Sequence, residues 1–214
     1  MISIITTCVN YSDFLSITYK YNKEEFKKNY YLIVTSKKDK ATQEFCNKNN
    51  INFYITDRFY EGGARFDKPK AINDAVTNMK DSVFSNDWIL LCDADVIVTP
   101  TIRYFLSRQN KNRECMYGAG RYICHDPSQY TKKKTDYEEC KFLGFFQLFH
   151  KDNIEKKINK VKWFLHSNYN ASIYDLEFAK EFNCKQELKN HEVLHVGPTF
   201  TNWDGRKSKL WDIS

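Results

Sequence analysis

Trp88-Ile89-Leu90-Leu91-Cys92-Asp93-Ala94-Asp95-Val96-Ile97-Val98 is an apolar run that meets two aspartates one residue apart and then turns apolar again. A strand buried on both faces has this near-continuous apolar character, and its end can turn polar side chains out toward a ligand. Two carboxylates at such a place are too costly to leave uncompensated, and hard oxygen ligands suit Mg2+ or Mn2+. Open α/β sheets bind ligands beyond the carboxyl ends of their strands. Asp93 and Asp95 are therefore expected at the centre of a metal-dependent site for a phosphorylated substrate. On spacing alone, a strand ending in a solvated Asp-rich turn is the plain alternative.

Upstream, the chain alternates. Residues 2–9 read as a strand, and Asn10-Tyr11-Ser12-Asp13 as a polar turn able to cap a helix reaching about residue 28. Residues 30–35 read as a second strand, 39–49 as a helix ending at an Asn pair, and 51–56 as a third strand. This β-α-β-α-β order predicts a mostly parallel sheet with covering helices. Gly62-Gly63 opens a loop into a further helix, where Ile72, Ala75, Val76 and Met79 fall at i, i+3, i+4 and i+7. Lys68, Lys70, Asn73 and Asp74 lie off that stripe or at its edge. After Pro100 the pattern is less regular. Residues 116–124 suit a strand, 125–140 a Lys-rich loop, and 142–149 a short aromatic strand or turn. Ile154, Ile158, Val161 and Leu165 mark an amphipathic helix, 174–182 another, and 193–196 a last short strand.

A chain of 214 residues fits one domain with a real core, and its 7 Gly and 4 Pro leave little room for flexible linkers. The net charge of +6 agrees with an anionic substrate. The lysines are scattered, and no Arg-rich stripe or nucleic-acid motif accompanies them, so nucleic acid is not the expected partner. Seven widely spaced cysteines without a CxxC pair argue against zinc and against a disulfide framework, and predict free thiols in a reducing compartment. No apolar run reaches the ~20 residues of a membrane span, and the first residues carry no leader pattern. The expectation is a cytoplasmic protein, of a bacterium or of a virus in its host's cytosol.

The order of motifs resembles the GT-A glycosyltransferases, especially the inverting family 2-like enzymes. Five stations carry the resemblance across nearly the whole chain. They are the first strand with its Asn10-Tyr11 turn, Phe66-Asp67-Lys68-Pro69-Lys70-Ala71-Ile72-Asn73, Asp93-Ala94-Asp95, Tyr174-Asp175-Leu176-Glu177-Phe178, and His195-Val196-Gly197 followed by Trp203-Asp204-Gly205-Arg206. The resemblance implies an α/β fold of the GT-A type, three layers α/β/α around a mostly parallel, mixed sheet. Residues 1–98 would form the nucleotide-sugar-binding half and 99–214 the acceptor-binding half of one domain. It implies a nucleotide-sugar donor, a UDP-sugar by family frequency, and a glycan, lipid-linked or protein acceptor. It also implies Mn2+ or Mg2+ on the diphosphate, acting as a Lewis acid on the leaving group.

By resemblance, Asp95 ligates the metal, Asp93 holds the ribose or a metal-bound water, and His195 is a further ligand, unless it is an ordinary strand-end histidine. An inverting transferase needs a general base within reach of the acceptor hydroxyl. The matching segment has Tyr-Asp where many relatives have Glu-Asp, which leaves Asp175 first and Glu177 second. Residues two apart on a helix point about 200° apart, so one of the two is expected to face the site. Asp175 as a mere helix cap is the alternative. Thr7, Asn10, Tyr11, Thr35, Asp57, Asn73 and Ala94 are donor-side candidates. Lys70 and Arg206 are candidate cations for the diphosphate, each with a solvated surface role as its alternative. Phe146 and Gln147, in Gly144-Phe145-Phe146-Gln147-Leu148-Phe149, and Trp203 are acceptor-side candidates, although aromatics there also suit a core.

Three other classes compete. A haloacid dehalogenase-type phosphatase would place Asp-x-Asp near the N-terminus and follow it with Gly-Thr, whereas Val96-Ile97 follow here. A nucleotidyltransferase of related fold would carry a Gly-rich, basic signature after the first strand, which Cys8-Val9-Asn10-Tyr11-Ser12 lacks. A non-catalytic sugar- or nucleotide-binding module would be marked by loss of the base.

Overall fold

The computed structural model describes residues 1–108, 110–124, 137–139, 142–155 and 171–197. The first half runs β1 (Ile2–Thr7), α1 (Ser12–Phe26), β2 (Tyr30–Thr35), α2 (Lys40–Asn49) and β3 (Asn52–Ile55). A 3-10 turn over Arg58–Gly63 then leads to α3 (Lys68–Asn78), α4 (Lys80–Val83), β4 (Trp88–Cys92) and β5 (Val96–Ile97). The second half contains α5 (Pro100–Ser107), β6 (Cys115–Gly118), β7 (Arg121–Cys124), β8 (Tyr137–Glu138) and β9 (Phe146–His150). It continues through α6 (Lys151–Glu155), α7 (Ala171–Lys180), β10 (Cys184–Glu187) and β11 (Val193–Val196).

Seven strands form the main sheet in the order β10-β6-β9-β4-β1-β2-β3. β4, β1, β2 and β3 are mutually parallel, and β9 runs antiparallel to both β4 and β6. The sheet is buried on both faces, as its apolar runs require. Ile4, Ile33, Leu90 and Cys92 pack on one side with Leu15 and Tyr19 of α1, Cys46 of α2 and Ile102 of α5. Ile5, Leu32, Leu91 and Phe149 pack on the other with Ala71, Ile72, Ala75 and Val76 of α3 and Phe178 and Phe182 of α7. Neighbouring strand residues point to opposite faces, so this split of adjacent residues is the period-2 signature of the sheet. The architecture is the expected three-layer α/β/α fold.

From β1 the chain moves outward to β2 and β3, then returns to place β4 on the other side of β1. The chain order therefore reverses at the β1–β4 crevice: the helix leaving β1 and the helix α3 that leads towards β4 lie on opposite faces of the sheet. α1 belongs to one face and α3 to the other, and Asp93 follows β4 at this crevice.

Three expectations are corrected. Residues 116–124 form two strands in different sheets, with Ala119-Gly120 between them. β7 belongs to a second sheet ordered β5-β11-β7-β8. Gly120 fits that bend because a Cβ there would stand 2.6 Å from the Tyr137 hydroxyl. Tyr137–Glu138, read as loop, is the edge strand β8. The cysteines are not all free: Cys115 and Cys184 face each other across the β6–β10 pair and are disulfide-bonded, with Cα atoms 4.4 Å apart. Cys8, Cys46, Cys92 and Cys124 are buried free thiols, and Cys140 lies outside the described residues. Burial pushes the Cys8, Cys46 and Cys92 thiols up, so they pack as small apolar groups. Helix α5 and strand β10 were not expected. Among the described residues, no helix is long and apolar enough to cross a membrane.

Candidate active site

The β4 strand ends at Cys92, and the acidic turn that follows is held in place from three directions. The Asp93 amide donates to the Phe145 carbonyl at 3.3 Å, just before β9. From α1, Thr18 Oγ1 donates to the Ala94 carbonyl at 2.6 Å and Asn22 Nδ2 to the Val96 carbonyl at 2.8 Å. These buried polar groups on α1 explain why that helix is not uniformly apolar on its inner face. From the second sheet, Val196 donates its amide to the Asp95 carbonyl at 2.7 Å.

The same second-sheet pairing sets His195 opposite Val96 in the β11–β5 register. His195 Nε2 then lies 3.4 Å from Asp95 Oδ2. Both side chains are buried, and neither Asp95 Oδ1 nor His195 Nδ1 has a hydrogen-bond partner. A buried carboxylate oxygen without a donor is expensive and calls for a cation or a donor group. Burial pushes the Asp95 carboxyl up and the nearby Asp93 adds to this, while His195 opposes the shift. A carboxylate and an imidazole so placed fit Mg2+ or Mn2+ as a partial protein shell, which substrate phosphates and water would complete. Among the described residues, no cluster of three or more His, Cys, Asp or Glu side chains suits a metal by itself.

Asp93 has a different partner. Lys68 Nζ donates to Asp93 Oδ1 at 2.6 Å and stands 3.6 Å from Asp175 Oδ1. Lys68 is placed by α3: Asp67 accepts the Lys70 amide as N-cap, and Pro69 follows in the first turn. The Lys68 side chain is 6% exposed. Burial works against its charge, but Asp175, Asp93 and Asp95 together outweigh burial and raise its pKa.

Asp175 lies in the second turn of α7 beside Gly144. A Cβ on residue 144 would stand 2.2–2.4 Å from the carboxylate atoms of Asp175, so only glycine leaves room for it. The Gly144 amide donates to Asp175. Burial pushes the Asp175 carboxyl up to about 6, Lys68 pulls it down, and Asp93 pushes it up again. Glu177 instead pairs with Lys180 at 2.5 Å on an exposed part of the helix. The two residues thus point apart as helical geometry requires, and Asp175 is the one beside Asp93.

The remaining candidates are dispersed. Phe146 is fully buried in the core, which corrects its acceptor-side assignment. Gln147 is also fully buried, and its Nε2 donates to the carbonyls of Phe142 at 2.6 Å and Asp175 at 3.1 Å. It braces the loop and helix that carry Gly144 and Asp175, with no face left for a sugar. Lys70 pairs with Glu61 at 2.8 Å instead of entering the acidic cluster. Thr7 ends β1, half-buried, and Asn10 takes a left-handed φ of 56° while its amide donates to Asp39 Oδ2 at 2.7 Å. Tyr11 stacks on Phe14 at 4.5 Å. Thr35 is buried and donates to the same Asp39 carboxylate at 3.4 Å. Asp57 is exposed and accepts the Lys37 amide at 3.3 Å. Asn73 is half-buried in α3, and Ala94 is buried within the acidic turn. Trp203 and Arg206 lie outside the described residues.

Three groups were not singled out from sequence. Lys68 carried only a weak signal, its place at the first position of a helix, against the helix dipole. Arg121, buried with its guanidinium 4.7 Å above the Phe145 ring and bonded to Glu138, adds positive potential beside Asp95. Gly144 could be noted only as one of few glycines.

Comparison with protein families finds no match, nor does comparison with curated proteins. Solved structures do match. The inositol-1-phosphate CTP transferase from T. maritima superposes with a TM-score of 0.54 at 11% identity, over 100% of this chain and 94% of that one. At this identity the likeness is one of fold. The galactosyltransferase LgtC, solved with donor and acceptor sugar analogs, gives 0.53 at 11% identity over 99% and 92%. The 4-diphosphocytidyl-2C-methyl-D-erythritol synthase from Anaerococcus prevotii gives 0.52 at 15% over 100% and 94%. The likeness therefore spans both nucleotidyl- and glycosyltransferases and covers the whole chain.

Proposed function

We propose that the protein is a metal-dependent glycosyltransferase that moves one sugar from a nucleotide sugar, a UDP-sugar in the first instance, to a hydroxyl of a glycan, lipid-linked or protein acceptor, with inversion. One observation carries the reading. At the switch point of the sheet, a carboxylate–imidazole pair with buried unpartnered atoms adjoins a second buried carboxylate whose pKa is pushed up to about 6. The first suits a donor diphosphate with its cation. The second suits a base working near neutral pH. Solved neighbours of the same fold include a galactosyltransferase crystallised with donor and acceptor analogs, which supports sugar transfer. The sequence after β1, Cys8-Val9-Asn10-Tyr11-Ser12, lacks the Gly-rich basic loop expected for nucleotidyl transfer. That favours glycosyl over nucleotidyl transfer.

Asp95 and His195 would hold Mn2+ or Mg2+, which when bound supplies Lewis-acid stabilisation of the leaving diphosphate. Asp175 takes the proton of the acceptor hydroxyl. The hydroxyl oxygen forms a bond to the anomeric carbon as the bond from that carbon to the diphosphate oxygen breaks. The diphosphate leaves with the electron pair, and one displacement inverts the centre.

The test is thermal stability against a panel of nucleoside diphosphates and nucleotide sugars, with and without Mn2+, since a ligand selective for the folded state raises its melting temperature. One nucleotide should give a Mn2+-dependent shift that Asp95→Ala abolishes. Asp175→Asn should keep the shift and lose transfer. No shift with any nucleotide would sink the proposal, and normal transfer by Asp175→Asn would remove the base assignment.

A further inference from the structure

Lys68 is the most constrained cation in the described site, and nothing in the transfer scheme above uses it. It sits at the first position of α3, where the helix dipole disfavours a positive charge, and its side chain is almost wholly buried. Both features are unfavourable, so compensation is needed. It comes from two carboxylates on different parts of the chain: Asp93 at 2.6 Å, after β4, and Asp175 at 3.6 Å, on α7. These are the acidic groups assigned here to the donor and acceptor sides.

Apart from Lys68, two neighbours hold Asp175. Gly144 makes room for it and donates one amide, and Gln147 braces its main-chain carbonyl. Nothing but Lys68 ties its carboxylate to the donor-side turn in the contacts described. An ammonium also suits a base that must change charge. When Asp175 accepts a proton, Lys68 keeps a full countercharge in Asp93, so no buried cation is stranded in mid-reaction. In return, Asp93 Oδ1 is engaged by Lys68, which leaves the Asp95–His195 pair as the cation-holding part of the site.

We propose that Lys68 is a positioning residue for the transfer reaction, an internal counter-ion that fixes the Asp175 carboxylate relative to the donor-side Asp93. This rests on the proposed assignment of Asp175 as base. It does not predict that Lys68 touches substrate.

Two experiments on the full chain test it. The first needs no substrate: melting temperatures of the wild type, Lys68→Met, Asp175→Asn and the double variant. If the two side chains are coupled, Lys68→Met lowers the melting temperature less in the Asp175→Asn background than in the wild type. Equal losses in both backgrounds overturn the tie. If Lys68→Met alone fails to fold, a folded double variant carries the same meaning, and failure of both overturns it. The second experiment uses the nucleotide sugar found by the Mn2+ panel. Lys68→Met should lower kcat by about 100-fold, the lower range for a general base, with donor KM and the nucleotide-induced thermal shift near wild type. Lys68→Arg should recover part of kcat. A Lys68→Met enzyme with wild-type kcat, or one impaired in donor KM alone, refutes the positioning role. A wild type that binds no nucleotide defeats the functional reading, and the melting cycle still decides the Lys68–Asp175 tie.

Discussion

Gly144→Ala isolates the placement of Asp175 from its chemistry. The added Cβ would lie 2.2 Å from Oδ1, 2.3 Å from Cγ and 2.4 Å from Oδ2 of Asp175. Ordinary non-bonded contacts lie near ~3.5 Å, so the carboxylate must retreat by about 1 Å. Asp175 has a short side chain, and the retreat pulls it off its rotamer and away from the Gly144 amide. Overpacking of this kind costs about 1–3 kcal/mol of stability. The effect on rate should be larger, because a misplacement of about 1 Å at a reacting group costs on the order of 100-fold. The expected enzyme is folded, binds nucleotide and Mn2+ as the wild type does, and shows the loss in kcat with donor KM little changed. The assay is steady-state transfer alongside a thermal melt. A Gly144→Ala protein with wild-type kcat would refute the reasoning, because it would mean that the position of the Asp175 carboxylate does not limit the reaction.

Asp175 also sets a pH dependence. Its folded pKa is pushed up to about 6 by burial, against an ordinary aspartate value near ~3.9. Between these values the native state holds a proton that the unfolded chain lacks. The stability contribution is therefore full below about pH 4 and is lost as pH rises through about 6. The difference in melting temperature between wild type and Asp175→Asn should widen over that window, and a constant difference would contradict the assignment. Transfer should move the other way, rising with pH to a plateau above about 6, read from kcat/KM profiles. Replacing Cys115 and Cys184 by Ala opens a loop spanning 69 residues of sequence separation. The chain-entropy model gives a loss of up to ~4 kcal/mol for a loop of that size, measured by urea denaturation. Unchanged stability would mean that the bond does not form in the folded protein.

The first half of the chain was legible because its code is repetitive. Apolar runs such as Tyr30–Thr35 and Trp88–Cys92 can be buried on both faces only in a covered parallel sheet. Asp39 and the Asn49-Asn50 pair punctuate α2 by ordinary capping, with Asn50 in the left-handed conformation. The acidic residues and His195 were legible too, because they stand where apolar strands end. The second half resisted for physical reasons. Strand β10, Cys184–Glu187, is a polar edge strand whose identity comes from its pairing with β6. Helix α5 is short, and its Thr-Pro start was the one signal it offered. Phe146 and Gln147 were misplaced because an aromatic-amide pair looks the same whether it faces a sugar or fills a sheet. Lys68 was hidden among many lysines, since the sequence cannot show which one lies under two carboxylates.

Strand β9 has a mechanical consequence. The acidic turn after β4 and Gly144 come from segments far apart in sequence, and the antiparallel ladder Cys92↔Phe146 and Leu91↔Gln147 sets the spacing between them. Strands advance by ~3.4 Å per residue, so a two-residue slip of β9 along β4 would displace Gly144 by about 7 Å relative to the acidic turn. A one-residue slip would turn Phe146 and Gln147 to the wrong faces. The ladder acts as a caliper, and the gap it fixes is the one that a nucleotide and an acceptor would have to share.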